Sequence, residues 1–427
     1  MLLEFRVGNF RSIRDVQALS LVASSDKEHS DTHLEATGIA TSPNAIKSAV
    51  IYGANASGKT SLLMALEYMR AVVAESATFI QPGQTYNVQR FKLDDSYEGK
   101  PSSFEITFLH DGLRYEYAFQ MTQARFLSES LFVYKTARHT LVFSRQFDGN
   151  KDVYEFGAYL TGPKKLWEES TRDNALFLST AAQLNSELLS PVLKWLTFNV
   201  VFLPAQALIS TDFSTALLAT KEGKEKVHAF MAAADISIDE ISTAERKGVH
   251  VQFNPSVAPH TIQEEHEFKV PVFKHTTPKG SATFELTDES AGTQRLFSLA
   301  APVLDVLRDG RILLVDELDA SLHPLLVRQL IGMFHNKQIN QKNAQLIFTT
   351  HDTTLLDQSI FRRDQVWFTE KDADQATNLY PLTDFSPRKN EALEKGYLMG
   401  RYGAVPFFRE LPSLLVDSKY RSTQRSD

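Results

Sequence analysis

The sequence predicts an α/β fold built around a phosphate-binding loop, with an antiparallel β subdomain and a mainly helical insertion. Three observations predict it. Gly53-Ala54-Asn55-Ala56-Ser57-Gly58-Lys59-Thr60 has the spacing of a glycine, four residues and Gly-Lys-Thr. An apolar run, Ala49-Val50-Ile51-Tyr52, leads in as a buried strand, and Ser61-Leu62-Leu63-Met64-Ala65-Leu66 leads out with helical rhythm. Far downstream, Ile312-Leu313-Leu314-Val315 is a second apolar strand, and it ends in Asp316-Glu317.

The phosphate loop follows from what its residues can do. Glycines let successive backbone N–H groups turn toward one anion, and the helix start adds roughly half a positive charge at the same place. Asn55, Ala56, Ser57, Gly58, Lys59, Thr60 and Ser61 are therefore expected to bind nucleotide, with Lys59 reaching the terminal phosphates and Thr60 holding Mg²⁺. A chance glycine-rich turn would not bring strand, Lys-Thr and helix together. Asp316 at its strand end is expected as the second metal residue, and Glu317 as the group that orients or deprotonates the attacking water.

Composition bounds the rest. The 427 residues are 43% hydrophobic and 23% charged, as in ordinary globular proteins. No run approaches a membrane span and the first residues lack a signal-peptide pattern, so a cytosolic protein with no membrane contact is expected. With no cysteine there are no disulfides or thiolate metal sites, and the 12 histidines show no ligand spacing. A net charge of −7 argues against a surface uniformly built for DNA. A basic cluster, Tyr134-Lys135-Thr136-Ala137-Arg138-His139 with Arg145 following, reads as the solvated face of a hairpin, or as part of a local basic groove.

Along the chain, Leu2–Val7 and Val16–Val22 read as strands, and Ser24–Ser48 as a polar surface loop. Ser103–Leu109 and Leu113–Phe119 read as strands joined by a turn at His110-Asp111-Gly112. Lys164–Leu196 and Thr215–Ala234 carry helical patterns on either side of the strand-like Asn199–Leu203. Strands return at Val249–Phe253 and Glu267–Phe273, and only Arg421–Asp427 read as disordered. Glu289-Ser290-Ala291-Gly292-Thr293-Gln294-Arg295-Leu296 is a Ser-x-Gly turn opening a helix, which makes either a plain N-cap or a second anion site. Asp319-Ala320-Ser321-Leu322-His323-Pro324 follows the carboxylates, and Ala344–Thr350 is a buried strand ending at His351, placed to sense a γ-phosphate.

That order of motifs resembles the ATP-binding-cassette (ABC) ATPase heads of the SMC and RecF class over most of the chain. The resemblance implies a P-loop NTPase of the ABC-ATPase head type. Ser290 and Gly292 would then be the signature contacting ATP across a dimer, Asp319 a D-loop residue and His351 the switch histidine. Asn9-Phe10-Arg11-Ser12 is similar to the class's amino-terminal turn, so Arg11 and Ser12 would approach the nucleotide. The signature lacks the second glycine of the transporter form, and Gln89 alone stands for a Q-loop. The implied division is 1–160 for the first ATPase lobe with its β subdomain, 161–245 for the helical insertion, 246–385 for the second lobe and 386–427 for a tail.

Asn174–Ser179 with Ala181–Asn185, and Tyr397–Pro406, further resemble stand-alone bacterial AAA-type ATPases of abortive-infection and anti-phage operons, such as RloA, the AbiL group and the ATPase of the PARIS system. This implies an ATPase using ATP and Mg²⁺, a homodimer or higher homo-oligomer, a separately encoded effector, typically a nuclease, and a trigger that is DNA or a phage protein. The competing expectation is a RecF-like repair ATPase acting on DNA directly. A transporter subunit is disfavoured by the long β and helical insertion.

Overall fold

Six strands form the sheet that carries the phosphate loop, in the order Val200–Leu203, Ile312–Val315, Gln345–Thr349, Ser48–Gly53, Val366–Lys371 and Thr377–Pro381. The computed structural model describes residues 1–40, 42–134, 138–205, 210–233, 238–253, 261–389 and 391–406 of the chain. The first five strands are parallel and the sixth pairs antiparallel at the edge. Parallel strands need both faces covered, which explains their unbroken apolar runs. Ser48–Gly53 is buried at every position, between the strand that ends near His351 and the strand Val366–Lys371. The acidic strand lies one further out, so its carboxylates and the phosphate loop flank the histidine strand at the carboxyl edge of the sheet. Ligands of open α/β sheets bind at that edge.

Strand alternation splits the interior in two. Ala49, Ile51, Leu314 and Ile347 point to a core shared with the helix Lys59–Glu75 and an antiparallel seven-stranded sheet. Val50, Tyr52, Leu313, Val315 and Phe348 point to the other core, shared with the helices Ala291–Asp309 and Pro324–His335. The seven-stranded sheet runs from Gln17–Ser20 at one edge through Leu2–Gly8, Ser102–His110, Leu113–Met121, Phe126–Tyr134 and His139–Phe147 to Asp152–Phe156. The hairpin of Ser102–His110 with Leu113–Met121 turns at Asp111 and Gly112, with φ of 48° and 73°. Two successive positive φ angles match the right-handed twist of the flanking strands. A third antiparallel sheet holds the long pair Glu240–Phe253 and Thr261–Thr277 with Gly280–Glu285.

Residues 161–245 feed both cores. The helices Lys164–Ser170, Phe177–Gln183 and Leu189–Phe198 bury Trp167, Phe177 and Trp195 in the first core, whereas Lys221–Ala232 buries Val227 and Met231 in the second. Two local expectations change. The polar stretch Ser24–Ser48 holds a short helix, Ser30–His33, and a hairpin, Leu34–Ala36 with Asn44–Ile46, because Ala45 and Ile46 are fully buried. Arg145 is not part of a solvated basic face: its side chain is fully buried, ion-paired to Asp152 at 2.7 Å and donating to Ala175 O at 2.7 Å. Lys135–Ala137, Ala234 and Arg421–Asp427 lie outside the described residues.

Next to Arg145, Glu129 fastens the helix Phe177–Gln183 to the seven-stranded sheet. Its buried carboxylate accepts from Phe177 N at 2.6 Å, Leu178 N at 2.9 Å and the Tyr117 hydroxyl at 3.0 Å, filling the role of a cap that Leu176 cannot supply. Burial pushes its carboxyl above the usual range, against the pull of Arg145 and the two amides. Glu129→Ala leaves both amides unpaired in the interior and is expected to cost roughly 3 kcal/mol. The thermal unfolding midpoint should drop by several degrees, and less in Glu129→Gln, which keeps one acceptor.

Candidate nucleotide site

The phosphate loop is held in shape from behind. Gly58 closes it at φ 112°, a left-handed conformation that disfavours other residues, and a Cβ there would sit 2.1 Å from Thr377 Oγ1. Thr377 Oγ1 donates to Ser57 O at 2.9 Å, and Ser57 Oγ meets Thr369 Oγ1 at 2.6 Å. Ala56, at φ 62°, turns the crest between exposed Asn55 and buried Ser57. Lys59 is buried, with Nζ donating to Gly53 O at 2.8 Å and Ala54 O at 3.2 Å. Burial pushes its ammonium below the usual range, while Asp316, Glu317 and Asp319 pull it back.

The amino-terminal turn docks beside this loop through Ser12. Its hydroxyl donates to Ser61 Oγ at 2.9 Å and lies 2.9 Å from Thr377 Oγ1, and Ser12 O accepts from Thr377 N. Arg11, at φ 52°, bonds through its backbone N to Gln89 O at 2.6 Å, so Gln89 is brought to the turn through its carbonyl. Asn9 locks the turn by accepting from Phe91 N and donating to Lys100 O and Pro101 O.

Asp316 is the junction. Its Oδ2 accepts from Thr60 Oγ1 at 2.8 Å and its Oδ1 from Thr349 Oγ1 at 2.7 Å, and the same Thr349 oxygen accepts from Glu317 N at 2.8 Å. Glu317, at φ 53°, turns its half-exposed carboxylate out of the strand line, 3.9 Å from His351 Nε2. His351 N donates to Asp319 Oδ2 at 3.3 Å. Arg11, Ala56 and Glu317 are among the non-glycine residues with positive φ.

Ser290 caps the helix Ala291–Asp309, accepting from Thr293 N at 3.2 Å. Gly292 sits against the turn after the carboxylates, where an added Cβ would be 3.1 Å from Ser321 O. Among the described residues, no hydrogen bond joins Ser290 or Gly292 to the phosphate loop of the same chain. The structure therefore brings Ser12, residues 53–61, Asp316, Glu317 and His351 together, and sets Ser290 and Gly292 against the turn after the carboxylates without a hydrogen bond to the phosphate loop.

The residues fit a nucleotide and Mg²⁺. Gly53 and Gly58 let the loop lie directly on Thr369 and Thr377, where any Cβ would clash, and the Lys59 ammonium is bonded to loop carbonyls. Thr60 with one carboxylate is the donor set Mg²⁺ takes beside phosphates. Among the described residues no three His, Cys, Asp or Glu gather as a self-sufficient metal cage. A cavity of about 1,420 Å³ between Val200–Leu203 and the helices Asp212–Leu217 and Ala291–Asp309 contains none of these groups. Thr349, Thr369 and Thr377 were not anticipated from the sequence. Each lies in or at the start of a strand of the sheet, and only the strand order shows that they converge.

A sequence profile for the family described as "AAA domain, putative AbiEii toxin, Type IV TA system" matches residues 48–357. The chain belongs to this family. ATP binding is implied by the family. No curated protein matches this AAA-family chain. Among solved structures, an SMC head bound to the C-winged helix domain of ScpA is 13% identical, covering 89% of this chain and 97% of its own, with a TM-score of 0.40. An SMC head domain with an extended coiled coil, bound to the C-terminal domain of ScpA and derived from Pyrococcus furiosus, is 12% identical, covering 94% and 98%, with a TM-score of 0.41. Among the described residues of this AAA-family chain no helix is long and apolar enough to cross a membrane.

The Thr349 hydroxyl can be removed at nearly constant volume. Thr349→Val leaves a buried carboxylate oxygen of Asp316 and the Glu317 amide short of a partner, at about 1–3 kcal/mol each. The fold should survive with a lower unfolding midpoint. Isothermal titration should show ATP affinity falling about tenfold with Mg²⁺ and little without it.

Proposed function

We propose that the chain is a dimerising Mg²⁺-ATPase that senses and transmits nucleotide state to a separately encoded effector, a nuclease, in anti-phage defence. The observation that carries the ATPase core of this reading is Asp316, held between Thr60 of the phosphate-loop helix and Thr349 of the histidine strand. Residues 55–61 would bind the phosphates, with Lys59 leaving its carbonyl partners for the terminal oxygens, and Arg11 and Ser12 would flank the nucleotide. Thr60 and Asp316 would hold Mg²⁺, which supplies positive charge to the phosphate oxygens. Glu317 would take a proton from the attacking water, and His351, 3.9 Å from it, would donate toward the γ-phosphate.

Donors are also needed on the far side of that phosphate. Ser290 and Gly292 begin a helix of 19 residues and make no bond to their own loop, which supports their serving a second protomer related by a two-fold axis. The effector role rests on the resemblance to defence ATPases, and the family's description as a putative toxin of a toxin–antitoxin system supports the defence setting alone. A DNA or phage-protein trigger belongs to the same reading.

Lys59→Ala should abolish ATP binding, and Glu317→Gln should keep binding and lose turnover by about a hundredfold or more. Mixing Lys59→Ala with Ser290→Arg protein, each inactive alone, places both lesions in one site of a hybrid dimer and leaves the other whole. Partial recovery of turnover is expected; none, with mixed dimers demonstrated, counts against a shared site. Co-expression with the neighbouring gene product should give a stable complex and toxicity that neither protein shows alone. Turnover stimulated by DNA without any partner would favour the repair ATPase instead.

A further inference from the structure

Arg295 is the cation left over at this site. It lies one turn into the helix that Ser290 caps, half-buried, with Nε and Nη2 shielded from solvent and without a hydrogen-bond partner among the described residues. Buried donors are normally satisfied, so an orphaned guanidinium marks a side chain waiting for an acceptor. Burial lowers its affinity for the proton, and the one charge opposing this is the Glu317 carboxylate. No ion pair within 4 Å joins the two; Glu317 instead stands 3.9 Å from His351. The helix start that carries Arg295 presses on the Glu317 turn, because Gly292 has only 3.1 Å between an added Cβ and Ser321 O. That turn holds two left-handed non-glycine residues, Glu317 at φ 53° and Ser321 at φ 62°, and has few ways to yield.

We propose that Arg295 is a positioning residue for Glu317: when a second protomer's nucleotide engages Ser290, the guanidinium closes on the Glu317 carboxylate and fixes its aim. The signature turn then serves two sites at once. Ser290 stabilises the phosphate held by the partner, and Arg295, on the same helix, sets the base of its own chain. Turnover at one site becomes conditional on occupation of the other, because a fork of guanidinium donors reads a carboxylate in one orientation. The inference rests on the catalytic reading of Glu317.

The test uses full-length R295A, R295K, E317Q and the double variants R295A/E317Q and R295K/E317Q, with ATP turnover, binding of a fluorescent ATP analogue and thermal unfolding measured on each. R295A should lower kcat about tenfold or more and leave nucleotide affinity within about twofold. R295K, keeping the charge without the fork, should recover part of that loss. In the E317Q background the Arg295 change should have no further effect, because the two act as one unit. Native turnover in R295A, or losses that multiply in the double variants, overturns the assignment. Should R295A fail to fold, the R295K and R295K/E317Q pair decides by the same criterion. E317Q with native turnover overturns the catalytic reading itself, whereas an inactive E317Q beside a fully active R295A overturns only the role given to Arg295.

Discussion

One carboxylate ties the site together. Asp316 accepts from the first turn of the phosphate-loop helix through Thr60 and from the neighbouring strand through Thr349, and the Thr349 oxygen in turn receives the amide of Glu317. Three segments, the first 256 residues before the second and the second 33 before the third, are thereby set to one another within hydrogen-bond tolerance. Asp316 is almost fully buried, so its charge must be satisfied by these donors. The order of strands serves this arrangement, since only a histidine strand inserted between the phosphate loop and the acidic strand can offer Thr349 to both carboxylate residues.

The phosphate loop, the acidic strand and the Ser290 turn could be read in the sequence because each is a local pattern, with its strand, turn and helix contiguous. The threonines behind the loop could not. Thr369 and Thr377 are ordinary members of a strand and its antiparallel neighbour until pairing of Val366–Lys371 with Ser48–Gly53 brings them against Ser57 and Gly58. Arg145 misled for a related reason. Its basic neighbours suggested a wet face, but strand alternation turns it inward, where Asp152 and three backbone carbonyls accept from its two terminal nitrogens. The hairpin within Ser24–Ser48 was hidden by polar composition, although Ala45 and Ile46 seal the sheet's base.

Two segments that invited a narrower comparison prove to be joints of the fold. Asn174 donates to Gln81 O and Gln84 O, and Ser179 to Val73 O, so that stretch binds the end of the phosphate-loop helix to the seven-stranded sheet. Tyr397 and Tyr402 stack on Phe368, and Tyr397 packs against Tyr52, the residue before Gly53. Tyr52 also donates to Asp352 O, next to His351, and Glu394 accepts from Thr353. The helix Leu393–Leu398 is therefore in mechanical contact with both ends of the site.

The pressure of Thr377 on the phosphate loop has a thermodynamic side. A free glycine-rich loop samples many shapes, and a ligand that selects one must bear the entropy of ordering it. Here Thr377 and Thr369 hold the loop through side-chain bonds to Ser57, and Ser12 bonds the Ser61 hydroxyl just beyond it. The ordering is completed during folding, so association with a polyanion need not include it. Residues on the edge strand, its parallel neighbour and the amino-terminal turn would thereby lower the ordering cost of a ligand at this loop.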